Sequence, residues 1–271
     1  MIARGEYIRF AALGDSATYG LGDPVDRGWR GWARLLSDAI AATHQVSFCN
    51  LALPGATVSE VREHQLPLAL AHRPVIASLV VGLNDTMRST WDPRRIREDL
   101  LHCARELAES GAMVITARFH DHGRTIGLPG FLARPLARRI AELNRIYDEV
   151  HERYGLLRVD LSTDDAAARR DFWAHDRLHP SELGHRHVAV RVARLLNAEG
   201  LEFELPSLVC TGPRVGRLRA AQELAHQAAP WITRRIRDLA PVAAGLVVKQ
   251  VRPLWGRAGD VNAGYDDALS V

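Results

Sequence analysis

What most restricts the fold of this chain is a repeated alternation of short apolar runs with stretches whose apolar residues recur at helical spacing. The runs are Tyr7–Leu13, Val46–Leu51, Val75–Val81, Ala112–Ala117 and Leu156–Asp160. Each has the length of a strand, and Val75–Val81 is apolar nearly throughout, as a central parallel strand buried on both faces should be. Between the runs, Leu35, Leu36 and Ile40 share one face of a helix near 32–42. Ile96, Leu100, Cys103, Ala104 and Leu107 stripe another over 93–110, opened by Asp92-Pro93 and stopped by Gly111. Further helices are expected at about 58–71, capped by Thr57 or Ser59, at 133–154 and at 181–198. Strands alternating with helices predict an α/β fold with a parallel five-stranded sheet covered on both faces.

In such a sheet the carboxyl ends of the strands lie along one edge, where ligands bind. The first run stops abruptly at Gly14-Asp15-Ser16. A serine there is placed for chemistry, but its hydroxyl needs a base to take its proton. Asp176-Arg177-Leu178-His179-Pro180 supplies one: His179 can accept the Ser16 proton, and Asp176, on the same turn, can hold the imidazole in the right tautomer. Acyl transfer also needs donors for an oxyanion, and the Ser16 and Gly55 backbone N–H groups with the Asn84 side-chain amide form the available set. Asp15 is read as fixing its loop through backbone hydrogen bonds, and Asp85 as a turn residue.

Other histidines leave alternatives open. His120 and His122 follow the fourth strand and either line the substrate pocket or sit in a solvated loop. His175 and His179 would share a face if helical, a spacing that suits a metal, but Pro180 disfavours a helix there. No metal or other cofactor is therefore expected. His185 and His187 are assigned to the outer face of the last helix.

These blocks, in this order, resemble the SGNH or GDSL-type serine hydrolases across about residues 7–198. Gly14-Asp15-Ser16 matches the first family block, with Ala17 where many members carry leucine. Gly55 stands at the second-block glycine, Gly82-Leu83-Asn84-Asp85 matches the third, and Asp176 to Pro180 match the last. The resemblance implies a three-layer flavodoxin-like sandwich and an esterase or lipase with no metal. Its substrate would be a small-molecule or lipid-like ester; transfer of the acyl group to another acceptor, or thioester cleavage, are the alternatives.

Charge divides the chain of 271 residues into two parts, a hydrolase domain over 1–200 and a helical extension over 201–271. The net charge is +3, yet residues 206–257 alone carry nine Arg/Lys against two Asp/Glu, which leaves the rest at −4. Basic amphipathic segments around Trp231 either fold back on the acidic core, lie on an anionic membrane surface, or contact a partner or second copy. Nothing supplies a reader fold or stacking platform for nucleic acid. Met1–Glu6 lack the apolar core of a secretory signal, and no apolar run approaches the ~20 residues of a membrane span. Cys49, Cys103 and Cys210 show neither a disulfide framework nor a metal spacing. The expected location is the cytoplasm, at the membrane periphery if the extension binds lipid.

Overall fold

The computed structural model describes residues 5–212. Five strands, β1 (Tyr7–Gly14), β2 (Gln45–Asn50), β3 (Ile76–Val80), β4 (Met113–Arg118) and β5 (Leu157–Asp160), form one sheet in the order β2-β1-β3-β4-β5. All four pairings are parallel, with Phe10 opposite Phe48 on one side and Ile76 on the other. Side chains alternate across the sheet, so β1 feeds two cores. Ile8, Phe10 and Ala12 pack with Trp32, Leu36 and Ile40 of helix Gly31–Ala41 and with Val188, Val192 and Leu196 of helix Glu182–Ala198. Ala11 and Leu13 pack on the opposite face, with Val61, Leu100, Leu107, Leu143 and Tyr147. That second layer is built from the helical segment at 58–71 and the helices Pro93–Glu109 and Gly130–Tyr154. The result is the three-layer α/β sandwich expected from the alternation.

The caps follow local chemistry. Thr57 accepts from the Glu60 N–H while Glu60 reaches back to the Thr57 N–H, a reciprocal capping box. Asp92 accepts from Arg94 N and Arg95 N at 3.0 and 3.3 Å ahead of Pro93. Helix Gly130–Tyr154 begins three residues earlier than expected and carries Pro135 inside it. Three short helices, Ser16–Tyr19, Leu83–Thr86 and His122–Ile126, lie in segments read as loops.

One expectation is corrected. His185 does not face outward: it is fully buried, accepting from Trp32 N–H at 3.2 Å and donating to the Leu21 carbonyl at 2.9 Å. The outer face of its helix is covered by the loop at 20–30 and by residues 201–212, so a polar side chain there finds backbone partners instead of water. Leu201 and Phe203 are buried in the core, and Arg186 donates to the Ser207 carbonyl at 2.8 Å. The division expected after residue 200 thus falls inside a packed segment. Residues 213–271, which hold most of the basic extension, lie outside the described residues. Among the described residues no helix is long and apolar enough to cross a membrane.

Candidate active site

The strand order reverses direction between β1 and β3, and the crevice beyond their carboxyl ends is the natural ligand site of such a sheet. Ser16 follows β1 and Asn84 follows β3. At Gly14 the chain passes so close to its neighbours that a Cβ would stand 2.5 Å from Thr18 Oγ1 and 2.6 Å from the Val80 carbonyl oxygen. Asp15 then caps the short helix Ser16–Tyr19, accepting from Ala17 N–H at 3.1 Å.

Ser16 Oγ lies 2.8 Å from His179 Nε2, although the two residues are 163 positions apart. His179 Nδ1 lies 2.6 Å from Asp176 Oδ2. The other carboxylate oxygen of Asp176 accepts from the Leu178 and His179 N–H groups at 2.9 and 3.0 Å. Burial alone would raise Asp176, but the His179 imidazole and these two N–H groups hold it below the ordinary aspartate range. It is therefore an ionised anchor for the imidazole.

The donor side is built from three loops. Asn84 is buried, and its Nδ2 donates to the Ala56 carbonyl at 3.1 Å and to Asp15 Oδ2 at 3.3 Å. Gly55 has φ +83°, a left-handed turn that glycine adopts without strain. Its carbonyl accepts from Arg88 at 3.2 Å, and Asp85 Oδ2 accepts from Val58 N–H at 3.2 Å, tying the second loop to the third. Burial pushes Asp15 up to about 6, against the Ala17 N–H and His179, and Asp85 up to about 7, against the Val58 N–H and Arg88. Of the expected site residues, Ser16, Asn84 and His179 line one crevice, Asp176 is bonded to His179, and Gly55 lies in the loop whose Ala56 carbonyl accepts from Asn84.

Sequence reasoning missed the side chains that fix the backbone beneath them. Gln65, in the π-wound turn Val61–Gln65, accepts from Gly14 N–H at 2.9 Å and donates to the Gly14 carbonyl at 3.0 Å. Asn144 does the same to Phe119, with both bonds at 2.8 Å. His120 and His122, left open above, are buried in the pocket wall beside Trp173. His175 is exposed in a non-helical turn, so it shares no helix face with His179. Among the described residues no three His, Cys, Asp or Glu side chains form a group suited to a metal ion.

The model of the GDSL-like lipase/acylhydrolase family matches residues 12–187, from the end of β1 past the His179 turn. The chain belongs to the GDSL-like lipase/acylhydrolase family. It is an enzyme of the esterase and lipase type, acting on ester substrates. Solved structures of similar fold include TesA, at 20% identity over 70% of this chain and 98% of that one, with a TM-score of 0.57. A lipase/acylhydrolase from Enterococcus faecalis shares 21% identity over 74% and 99% of the two chains, with a TM-score of 0.55. Axe2, an acetylxylan esterase from Geobacillus stearothermophilus, shares 20% over 75% and 98%, with a TM-score of 0.54. At these identities the likeness concerns the fold. No match was found among curated proteins.

Proposed function

We propose that this GDSL-type enzyme hydrolyses a carboxylic ester through an acyl-enzyme formed on Ser16. The observation that carries the reading is the unbroken hydrogen-bond chain from Ser16 Oγ through His179 to Asp176, at 2.8 and 2.6 Å. His179 takes the hydroxyl proton as Ser16 attacks the ester carbonyl, then gives it to the departing alcohol. Water, deprotonated by the same imidazole, releases the acid. Asp176 keeps the Nδ1–H tautomer and stabilises the imidazolium.

The oxyanion falls to Ser16 N–H, Gly55 N–H and Asn84 Nδ2. The first two donate to no other group among the described residues. Asn84 gives up its longer bond, the one to Asp15, as the negative charge develops.

The test is labelling by a fluorophosphonate together with hydrolysis of p-nitrophenyl acetate. Wild type should be labelled and active, Ser16→Ala neither, and Asp176→Asn should lose about 10⁴-fold in kcat. Labelling that persists in Ser16→Ala would end this assignment. Supplying alcohol or amine acceptors and analysing the products separates hydrolysis from acyl transfer. For the extension, the excess of basic residues over 206–257 supports contact with an anionic membrane. Flotation of the full chain with anionic liposomes, against a chain ending at 212, tests it; equal flotation would remove the extension from the argument.

A further inference from the structure

Ser16 and His179 reach the crevice on separate segments. One leaves β1 and the other lies outside the sheet, so strand pairing does not set the distance between them. Ser16 runs on into the loop at 20–30, and His179 into Pro180 and the helix Glu182–Ala198. The two segments meet at Gly22, where a Cβ would stand 2.0 Å from the Pro180 carbonyl oxygen. Any side chain there would push the loop off the His179 turn.

Behind this contact lies a cluster of four charges. Asp23, fully buried, accepts from Arg30 Nε and Nη2 at 3.0 Å each and from the Gly31 N–H at 3.1 Å. Arg30 Nη2 also donates to Glu182 Oε1 at 2.8 Å, and Arg186 Nε donates to the same oxygen at 3.0 Å. The segment after the last helix completes the set. The Thr211 and Gly212 N–H groups donate to Glu182 at 2.7 and 2.9 Å, and Arg186 donates to the Ser207 carbonyl and Thr211 Oγ1 at 2.8 and 3.0 Å.

Two carboxylates and two guanidinium groups balance, and none of these side chains is more than 17% exposed. Burial alone would raise the Glu182 carboxyl, but the Thr211 N–H, Arg186, the Gly212 N–H and Arg30 hold it below the ordinary glutamate range. Such a cluster is a weak source of stability, because the desolvation of its charges offsets their attraction. What it adds is direction: charge-assisted bonds, one of them bidentate, that are all satisfied in one arrangement of the chain. Its members Asp23 and Glu182 stand seven residues after Ser16 and three after His179, where that fixity bears on the triad.

We propose that Glu182 is a positioning residue for the triad: by joining Arg30, Arg186 and the backbone at 211–212, it braces the Ser16 segment against the His179 turn and sets the distance across which the proton passes. The inference rests on the esterase reading above and adds a residue to it. It also makes residues 207–212 part of the catalytic unit, since their N–H and carbonyl groups close the brace.

Glu182→Gln in the full chain keeps the size and removes the charge. Well below its unfolding temperature it should react with a fluorophosphonate about tenfold more slowly than wild type, since a shift of ~1 Å in a reacting pair can cost 10²-fold. kcat on p-nitrophenyl acetate should fall by the same factor with KM nearly unchanged, and the plateau of the pH–rate profile should drop without a shift of its midpoint. Asp164→Asn is the control for stability alone. Asp164 is also buried and ties the same helix further along, accepting from His187 and Arg191 at 3.0 and 3.1 Å. That variant should unfold more easily and react at the wild-type rate. Thr211→Pro, at an exposed position, takes one N–H and one hydroxyl from the brace and leaves the core untouched, so it carries the test if Glu182→Gln does not fold. It should lose several-fold in labelling rate and kcat. A wild-type rate in the folded Glu182 variant, or in Thr211→Pro where that one does not fold, overturns the proposal. So does a moved midpoint with an unchanged plateau, which would make Glu182 a distant charge, or equal slowing in Asp164→Asn. Wild type that resists the fluorophosphonate would strike the esterase reading itself, and this inference with it.

Discussion

Asn84 shows how much one side chain can be asked to hold. Its amide bridges the loop after β1, through Asp15, and the loop after β2, through Ala56, while itself following β3. In the proposed mechanism it also meets the developing negative charge, an interaction made in the transition state and not in the ground state. Asn84→Ala should therefore lower kcat by about 10²–10³-fold, or ~2.7–4 kcal/mol, with a much smaller change in KM. Steady-state kinetics on p-nitrophenyl acetate read this directly, and a loss in KM alone would assign the residue to the scaffold. Asn84 was legible because Gly82-Leu83-Asn84-Asp85 ends an apolar run, where polar residues have no packing role. His120 and His122 sit at the end of a run too, but their burial depends on Trp173, which arrives from a turn some fifty positions later.

Among elements, strand ends pose a problem that regular pairing leaves unsolved. Where the ladder stops, backbone N–H and C=O groups remain inside the protein and must find partners. Here helices lend them amides: Gln65 clamps Gly14 and Asn144 clamps Phe119, while Asn50, the last residue of β2, donates its Nδ2 to the Thr18 carbonyl of helix Ser16–Tyr19 at 3.0 Å. The first clamp lies two residues before the serine, so its loss should be felt in both stability and rate. Gln65→Met fills a similar volume but leaves the buried Gly14 N–H unpaired and its carbonyl with the Leu53 N–H alone, at 3.3 Å, at a cost of about 1–3 kcal/mol. Urea denaturation should show that loss, and kcat should fall with it; a stable variant with normal kcat would mean that Gly14 finds its position unaided. The long helices could be read from their repeated apolar stripes and the five strands from short apolar runs. Gln65 and Asn144 could not, since a single inward amide leaves no periodic trace and its partner is a backbone atom far away in sequence. The short helices such as Ser16–Tyr19 escape for a related reason, being too brief to show a period.

At the scale of the whole molecule, groups with opposite titration habits are buried around the same crevice. His122 and His185 are lowered to about 4 by burial, and His120 is lowered as well. The unfolded chain binds protons at these sites as pH falls below 6.5 while the folded one does not, so their contribution to stability is lost between about 6.5 and 4. Asp15 and Asp85, raised to about 6 and about 7 by burial, work the other way. The folded state keeps protons that the unfolded chain releases above 3.8, so their contribution is present in acid and lost as pH rises toward 7. Across pH 4–6.5 the two sets oppose each other, and the wild-type stability curve should be nearly flat there. Asp85→Asn removes one of the opposing carboxyls while keeping an oxygen to accept the Val58 N–H. Relative to wild type it should gain stability as pH rises from 4 to 8, by roughly 2–4 kcal/mol. Its own curve should fall more steeply on acidification, because the histidines are then less opposed. Thermal unfolding followed at half-unit steps from pH 4 to 8 measures this, and parallel curves for the two proteins would show that Asp85 is ionised throughout and that Arg88 offsets its burial.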